Sequence, residues 1–278
     1  VRWEVNHETV YRYSVPVTFA PHVLRVSPRA ERARLIAATL DTEPAPTALS
    51  HFADAYDNPC TRVAFGPDAS TVLRFHSRVQ VEIYAPPSLG PLRLPQLPWP
   101  LASDDALSGY RGGEWLSPDV EDFVREVAAG AGYGAVAYLD RLGETLAGRI
   151  EKTIRVDGAP QRPEETLALS RGACRDITVL FLAACRKMGI AARFVSGYQG
   201  AAETLDGRRH LHAWPEVFLP GAGWVGWDPM HGIRVGEDHI ALSVAPGQDG
   251  TMPVEGGFYF EGPEVTSTLE YAIRIGRF

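Results

Sequence analysis

Cys174 heads an apolar, helix-like run, Arg171-Gly172-Ala173-Cys174-Arg175-Asp176-Ile177-Thr178-Val179-Leu180-Phe181-Leu182. A helix N-terminus exposes unpaired backbone N–H groups and carries about half a positive charge. A thiolate placed there is stabilised, and its pKa falls from about 8.5 toward roughly 3.5–7.5. Downstream lie Leu211-His212-Ala213-Trp214 and then Trp227-Asp228-Pro229. The order supplies a nucleophile, a base and an orienting carboxylate. Cys174 would attack a carbonyl, with its own backbone N–H among the donors to the oxyanion. His212 would pair with the thiolate and later protonate the leaving amine, while Asp228 fixes the ring. The reaction class is acyl transfer through a thioester.

Other residues compete for these roles. Cys60 and Cys185 read as buried, inert thiols, and Cys185 shares a helix face with Cys174. His210 lies two residues from His212 and reads as exposed. Trp214 and Trp227 are core or site-wall aromatics that could contact substrate. Asp176 suits the first turn of a helix without any catalytic role. A metal site is the alternative chemistry, with ligands from His210, His212, His231, Asp228 and Cys174. The chain lacks the paired CxxC or HExxH signatures of such sites, and the catalytic reading includes no metal. A non-catalytic binding module on the same scaffold is the third possibility.

The elements must then place these side chains together. Leu211–Leu219 and Trp224–Asp228 flank Pro220-Gly221-Ala222-Gly223 and read as a hairpin. His212, Trp214 and Glu216 share one strand face. A four-residue loop would set Leu219 opposite Trp224 and turn Asp228 to the opposite face from His212. The triad therefore demands an odd-length loop, or a bulge for which Pro215 is the natural position. The nucleophile helix should run from Cys174 to Met188, stopped by Gly189, with Ile177, Leu180, Phe181, Ala184 and Met188 inward. Ser117-Pro118-Asp119 opens another helix with an N-cap and a proline at its first position. A weaker helical pattern covers Tyr138 to Ile150.

Residues 1–84 alternate with period two, through Trp3 and Val5, Tyr11 to Val17, and Val72 to Tyr84, as in a sandwich of short strands. Residues 85–100 hold Pro86, Pro87, Pro91, Pro95, Pro98 and Pro100, and must be an extended connector or a strap over a neighbouring surface. After 101–190, which favour helix, the period returns to two in Ala192–Tyr198 and Leu269–Ile275. The expected division is an N-terminal β-rich unit with its connector (1–100) and a catalytic unit (101–278).

The chain has 278 residues and a net charge of −7, which disfavours nucleic acid as a partner. No apolar run reaches transmembrane length, and no membrane partner is expected. Three cysteines suggest no disulfide framework, so a reducing, cytoplasmic setting is the expectation.

Three segments in this order resemble the bacterial transglutaminase-like superfamily. They are Gly172-Ala173-Cys174-Arg175-Asp176, His212-Ala213-Trp214-Pro215-Glu216-Val217 and Gly223-Trp224-Val225-Gly226-Trp227-Asp228-Pro229. Gly236-Glu237-Asp238-His239 is similar to a family stretch that usually reads Gly-Arg-Asp-Tyr. Leu24-Arg25-Val26-Ser27-Pro28-Arg29 resembles the N-terminal domain often attached in that family. Met230-His231 stands where Thr-Asn is common; with Glu237 and His239 it would shape the rim and surroundings of the site. The resemblance implies an α+β fold: a papain-like catalytic domain, its cysteine helix packed on an antiparallel sheet, behind a β-sandwich-like N-terminal domain. It implies Cys174, His212 and Asp228 as the triad and no cofactor. The expected activity is that of a cysteine peptidase or amidase on a peptide or amide substrate, with glutamine-directed amine transfer as the alternative.

Overall fold

A computed structural model describes all residues except 91, 101–105, 113–114 and 157. Pro91 of the connector and the division at 100/101 therefore touch or fall outside the described residues. In chain order the first strands are β1 (Arg2–Phe19), β2 (His22–Leu24), β3 (Ala33–Glu43), β4 (Ala48–Ala53), β5 (Pro59–Ala64) and β6 (Ser70–Ile83). Helices α1 (Pro118–Gly130) and α2 (Ala135–Arg149) follow, then β7 (Glu151–Lys152), α3 (Pro163–Leu169), β8 (Arg171–Gly172) and α4 (Cys174–Lys187). The chain continues through β9 (Ala192–Gln199), β10 (His212–Leu219), β11 (Gly223–Asp228), β12 (Ile233–Arg234) and β13 (His239–Ala245). It finishes with β14 (Val254–Glu255), β15 (Phe258–Tyr259) and β16 (Ser267–Arg277).

β9–β13 form an antiparallel sheet in the order β12-β11-β10-β9-β13. Helix α4 packs on β9 and β10, and α1, α2 and α3 close over its other side. The predicted inward stripe of α4 is buried, but so are Thr178, Leu182, Ala183 and Cys185. A helix apolar on nearly every side belongs at the centre of a core. Ser117 caps α1 through its side chain, with Pro118 behind it, as the sequence dictates. Helix α3 escaped the sequence reading; its seven residues give only two turns of pattern, although Pro163-Glu164-Glu165 marks its start.

The N-terminal region is a sandwich. One sheet joins β3, β6, β1 and β16, and the other joins β4, β5, β2 and β14. Tyr13, Val17, Phe19, Leu24, Val63, Leu73 and Phe75 fill the space between them. The first half of β1 has a different partner: Trp3 and Val5, with Val79, Val81 and Ile83 of β6, pack against Tyr198, Ile240 and Leu242 of the catalytic sheet. The last three strands return to this region, β16 pairing with β1 from Trp3↔Arg277 to Tyr13↔Ser267. A simple division at residue 100 would leave those strands with the catalytic unit. Among the described residues no helix is long and apolar enough to cross a membrane.

The proline segment lies as a strap over the helices. Leu97 enters the main core, its N–H donates to the carbonyl of Tyr133, and that of Trp99 donates to Met188. Gly189 makes this crossing possible: φ is +76°, and a Cβ there would lie 2.1 Å from the carbonyl oxygen of Trp99.

Candidate active site

The hairpin satisfies the parity that the chemistry demands. Leu219 pairs with Gly223 and Glu216 with Gly226, so the loop has three residues, Pro220, Gly221 and Ala222. The ladder between β9 and β10 runs without a shift from His212↔Gly197 to Val217↔Ala192, and Pro215 pairs with Phe194. The odd loop, with no bulge at Pro215, brings Asp228 to the His212 side.

Cys174 is the first residue of α4, after Ala173 in extended backbone. Its N–H therefore lies outside the helical ladder and is available to a developing oxyanion. Asp176 fixes this turn. Its Oδ2 accepts from the Ala173 N–H at 2.8 Å, and its Oδ1 accepts from Gln161 N–H at 2.8 Å and the Arg155 guanidinium at 2.5 Å. This is half of a capping box, since Ala173 has no side-chain acceptor to return the bond.

The Cys174 thiol is half-buried in a cavity wall and hydrogen-bonds with His212. Burial opposes its ionisation, but the bond to His212, the charge on that ring and a backbone N–H from Ala213 outweigh burial and lower its pKa. His212 Nε2 donates to Asp228 Oδ2 at 2.8 Å, which leaves Nδ1 to face the sulfur. Burial disfavours the imidazolium, yet the charge and hydrogen bond of Asp228, with the contact to Cys174, push its pKa up to about 10. The site thus favours a thiolate–imidazolium pair.

Asp228 is fully buried and accepts from three rings at one oxygen. His231 Nδ1 lies 2.8 Å and His239 Nε2 3.1 Å from the same Oδ2 that receives His212, while the Met230 N–H donates to Oδ1. Burial would raise the Asp228 pKa, but the charge and bond of His212, with the bonds from His231 and His239, hold it well below the usual carboxylate range. His239 is sealed from solvent, and its Nδ1 meets Asp238 Oδ1 at 2.9 Å. Gln199 donates to Asp238 Oδ2 at 2.8 Å and accepts from the N–H groups of Ala201 and Ala202. A buried polar chain thus runs from the triad to the loop beyond β9. The sequence flags His231 and His239 as departures at the rim and surroundings, but not their convergence on one atom.

The structure separates the remaining candidates. Cys60 and Cys185 are buried, and burial raises both thiols, that of Cys185 strongly. His210 bonds Tyr271 Oη at 2.6 Å and Asp206, facing β16 and not the sulfur. Trp214 and Trp227 are fully buried and do not line the cavity; Trp227 donates to Asp140, and Trp214 packs edge-on against His239. Among the described residues, His212, Asp228 and His231 bring potential metal-ligand atoms within 4.8 Å of one another. The 2.8 Å spacing of both rings from one carboxylate oxygen is that of charge-assisted hydrogen bonds.

A cavity of about 480 Å³ opens at Cys174, His212 and His231. Its opposite wall comes from His7, Thr9 and Tyr11 of β1 and Leu269 and Tyr271 of β16. The volume falls in the range of small-molecule pockets, about 300–1,000 Å³.

Comparison with known proteins agrees with this arrangement. Residues 121–229 match the transglutaminase-like superfamily, and residues 3–82 match the bacterial transglutaminase-like N-terminal region. An uncharacterized protein of Mycobacterium tuberculosis (strain ATCC 25618 / H37Rv) is 29% identical over 277 residues, covering 93% of this chain and 88% of its own. One from Mycobacterium leprae (strain TN) is 25% identical over 291 residues, covering 99% of both. A crystal structure from Cytophaga hutchinsonii, titled as a candidate cysteine protease, shares the fold with a TM-score of 0.71 at 13% identity, covering 99% of this chain and 90% of that one. The chain belongs to the transglutaminase-like superfamily and pairs the core of a cysteine-dependent enzyme with a bacterial transglutaminase-like N-terminal region.

Proposed function

We propose that this chain cleaves amide bonds by acyl transfer to Cys174, as a cysteine peptidase or amidase. One observation carries the reading: a thiol at a helix head is hydrogen-bonded to an imidazole whose other nitrogen lies 2.8 Å from a buried carboxylate. In the first half-reaction the sulfur attacks the carbonyl carbon, and the oxyanion meets the Cys174 N–H. His212 gives its proton to the leaving nitrogen, the C–N bond breaks, and a thioester remains. Asp228 keeps Nδ1 aimed at the sulfur throughout. In the second half-reaction water attacks the thioester. The bounded cavity favours a small amide or a short peptide end over an extended polypeptide.

Mass analysis of peptide and amide libraries, incubated with and without a primary amine, tests this reading. Hydrolysis yields fragments whose masses ignore the amine; incorporation of the amine would replace it with amine transfer. Cys174→Ala should abolish turnover with an unchanged circular-dichroism spectrum, and His212→Ala should be nearly as severe. Turnover that survives Cys174→Ala, or that a chelator removes, would overturn the proposal.

A further inference from the structure

Two of the three imidazoles on Asp228 differ in where their far side leads. His239 spends its second nitrogen on Asp238 and has no exposure. His231 lines the cavity with Cys174 and His212, its side chain 20% exposed. Its ring centre lies 5.4 Å from that of His212. Because Asp228 is held as a carboxylate, the nitrogen facing it, Nδ1, must carry the proton. The neutral ring therefore keeps its lone pair on Nε2, which makes no hydrogen bond among the described residues. The ring is also well anchored. The His231 N–H donates to the Asp228 carbonyl in the tight turn after β11. Gly232, at φ +68°, lets that turn sit against α2, where a Cβ would lie 3.0 Å from the Ala147 methyl.

We propose that His231 is a further catalytic residue, the general base for the second nucleophile. The proposal rests on the acyl-enzyme reading above. His212 is enclosed between sulfur and carboxylate and serves the first half-reaction. As water attacks the thioester, a C–O bond forms at the acyl carbon and one water proton passes to His231 Nε2. The C–S bond then breaks, and its electron pair returns to Cys174. The other water proton leaves the product carboxyl group for His212 and restores the ion pair, while His231 releases its proton to solvent. One carboxylate thus orients two bases, one for each half of the cycle.

Stopped-flow turnover of p-nitrophenyl acetate separates the halves. The wild-type protein should give a burst of nitrophenolate, one per chain, and then a slower steady state. His231→Gln keeps a donor toward Asp228 but has no basic nitrogen. It should keep the burst rate within about twofold while the steady-state rate falls on the order of 10²–10⁴. Intact-mass analysis should find the acetylated chain accumulating. Added imidazole should restore the steady-state rate of His231→Ala, which a merely structural role would not allow. Burst and steady state falling together, or an unchanged steady state, would overturn the role of His231 alone. If the wild-type chain forms no acyl-enzyme at all, both this role and the parent reading fail.

Discussion

The sulfur of Cys174 is pulled in opposite directions: partial burial resists its charge, and the His212 ring invites it. The ring wins because Asp228 is itself pinned as an anion by two further histidines. This sets a pH profile with a definite sign. Below the lowered Cys174 pKa the thiol is protonated and inert; above the raised His212 value, about 10, the ring no longer supplies a proton to the leaving amine. Hydrolysis should therefore follow a broad bell spanning neutral pH. Iodoacetamide should label Cys174 at pH 7 far faster than Cys60 or Cys185, whose thiols burial pushes up. Equal labelling of all three would contradict the ion pair. Asp228→Asn should lower turnover by up to about 10⁴, as in serine triads, with measurable activity left. At this scale the three central residues were legible, because each sits in a short segment with its own physical reason. The roles of His231 and His239 were not, since three bonds to one oxygen arise from a turn and a neighbouring strand whose approach no local pattern encodes.

Helix α4 and the hairpin were also legible, and the hairpin by an argument of parity. The sequence left open a bulge at Pro215 or an odd loop; Gly221 and Gly223, both at positive φ, allow the three-residue solution. Helix α3 was too short for periodicity to register. The strap over the helices was foreseen from proline density, but its landing point depends on Gly189, which closes α4 and leaves room for the Trp99 carbonyl. Gly189→Ala must adopt a left-handed conformation and displace backbone at once. We expect a loss of about 2–3 kcal/mol, from roughly 1–2 kcal/mol of conformational strain and about 1 kcal/mol for the Trp99–Met188 hydrogen bond. Urea unfolding checks this; an unchanged midpoint would mean the strap is free to move aside.

Across the whole molecule, buried charge and backbone pairing bind the sandwich to the catalytic sheet. Arg193 and Glu216 of the catalytic sheet form an ion pair at 2.6 Å, and Glu31 before β3 reaches Arg193 at 2.7 Å and Arg29 at 2.8 Å. Both arginines of the Leu24–Arg29 segment are buried; Arg25 holds Asp54 and Glu255, and the Arg29 N–H donates to Ala241. Asn58 exchanges two hydrogen bonds with the backbone of Val244. The N-terminal region therefore does more than accompany the core, because β1 and β16 complete the cavity. Tyr271→Ala should raise KM more than it lowers kcat, since it removes wall and not chemistry; a pure kcat loss would place Tyr271 nearer the reacting atoms. The pairing of β1 with β16 spans almost the entire chain, and separations of that size are invisible to any window of periodicity.

That same pairing delays competence until synthesis is nearly finished. A polypeptide elongated only to residue 266 already has its sulfur, ring and carboxylate, yet lacks Leu269 and Tyr271 and therefore one side of the reaction chamber. Such a fragment should react with a small alkylating agent while failing to process any amide, so the final strand acts as a latch that withholds hydrolytic power from an unfinished molecule.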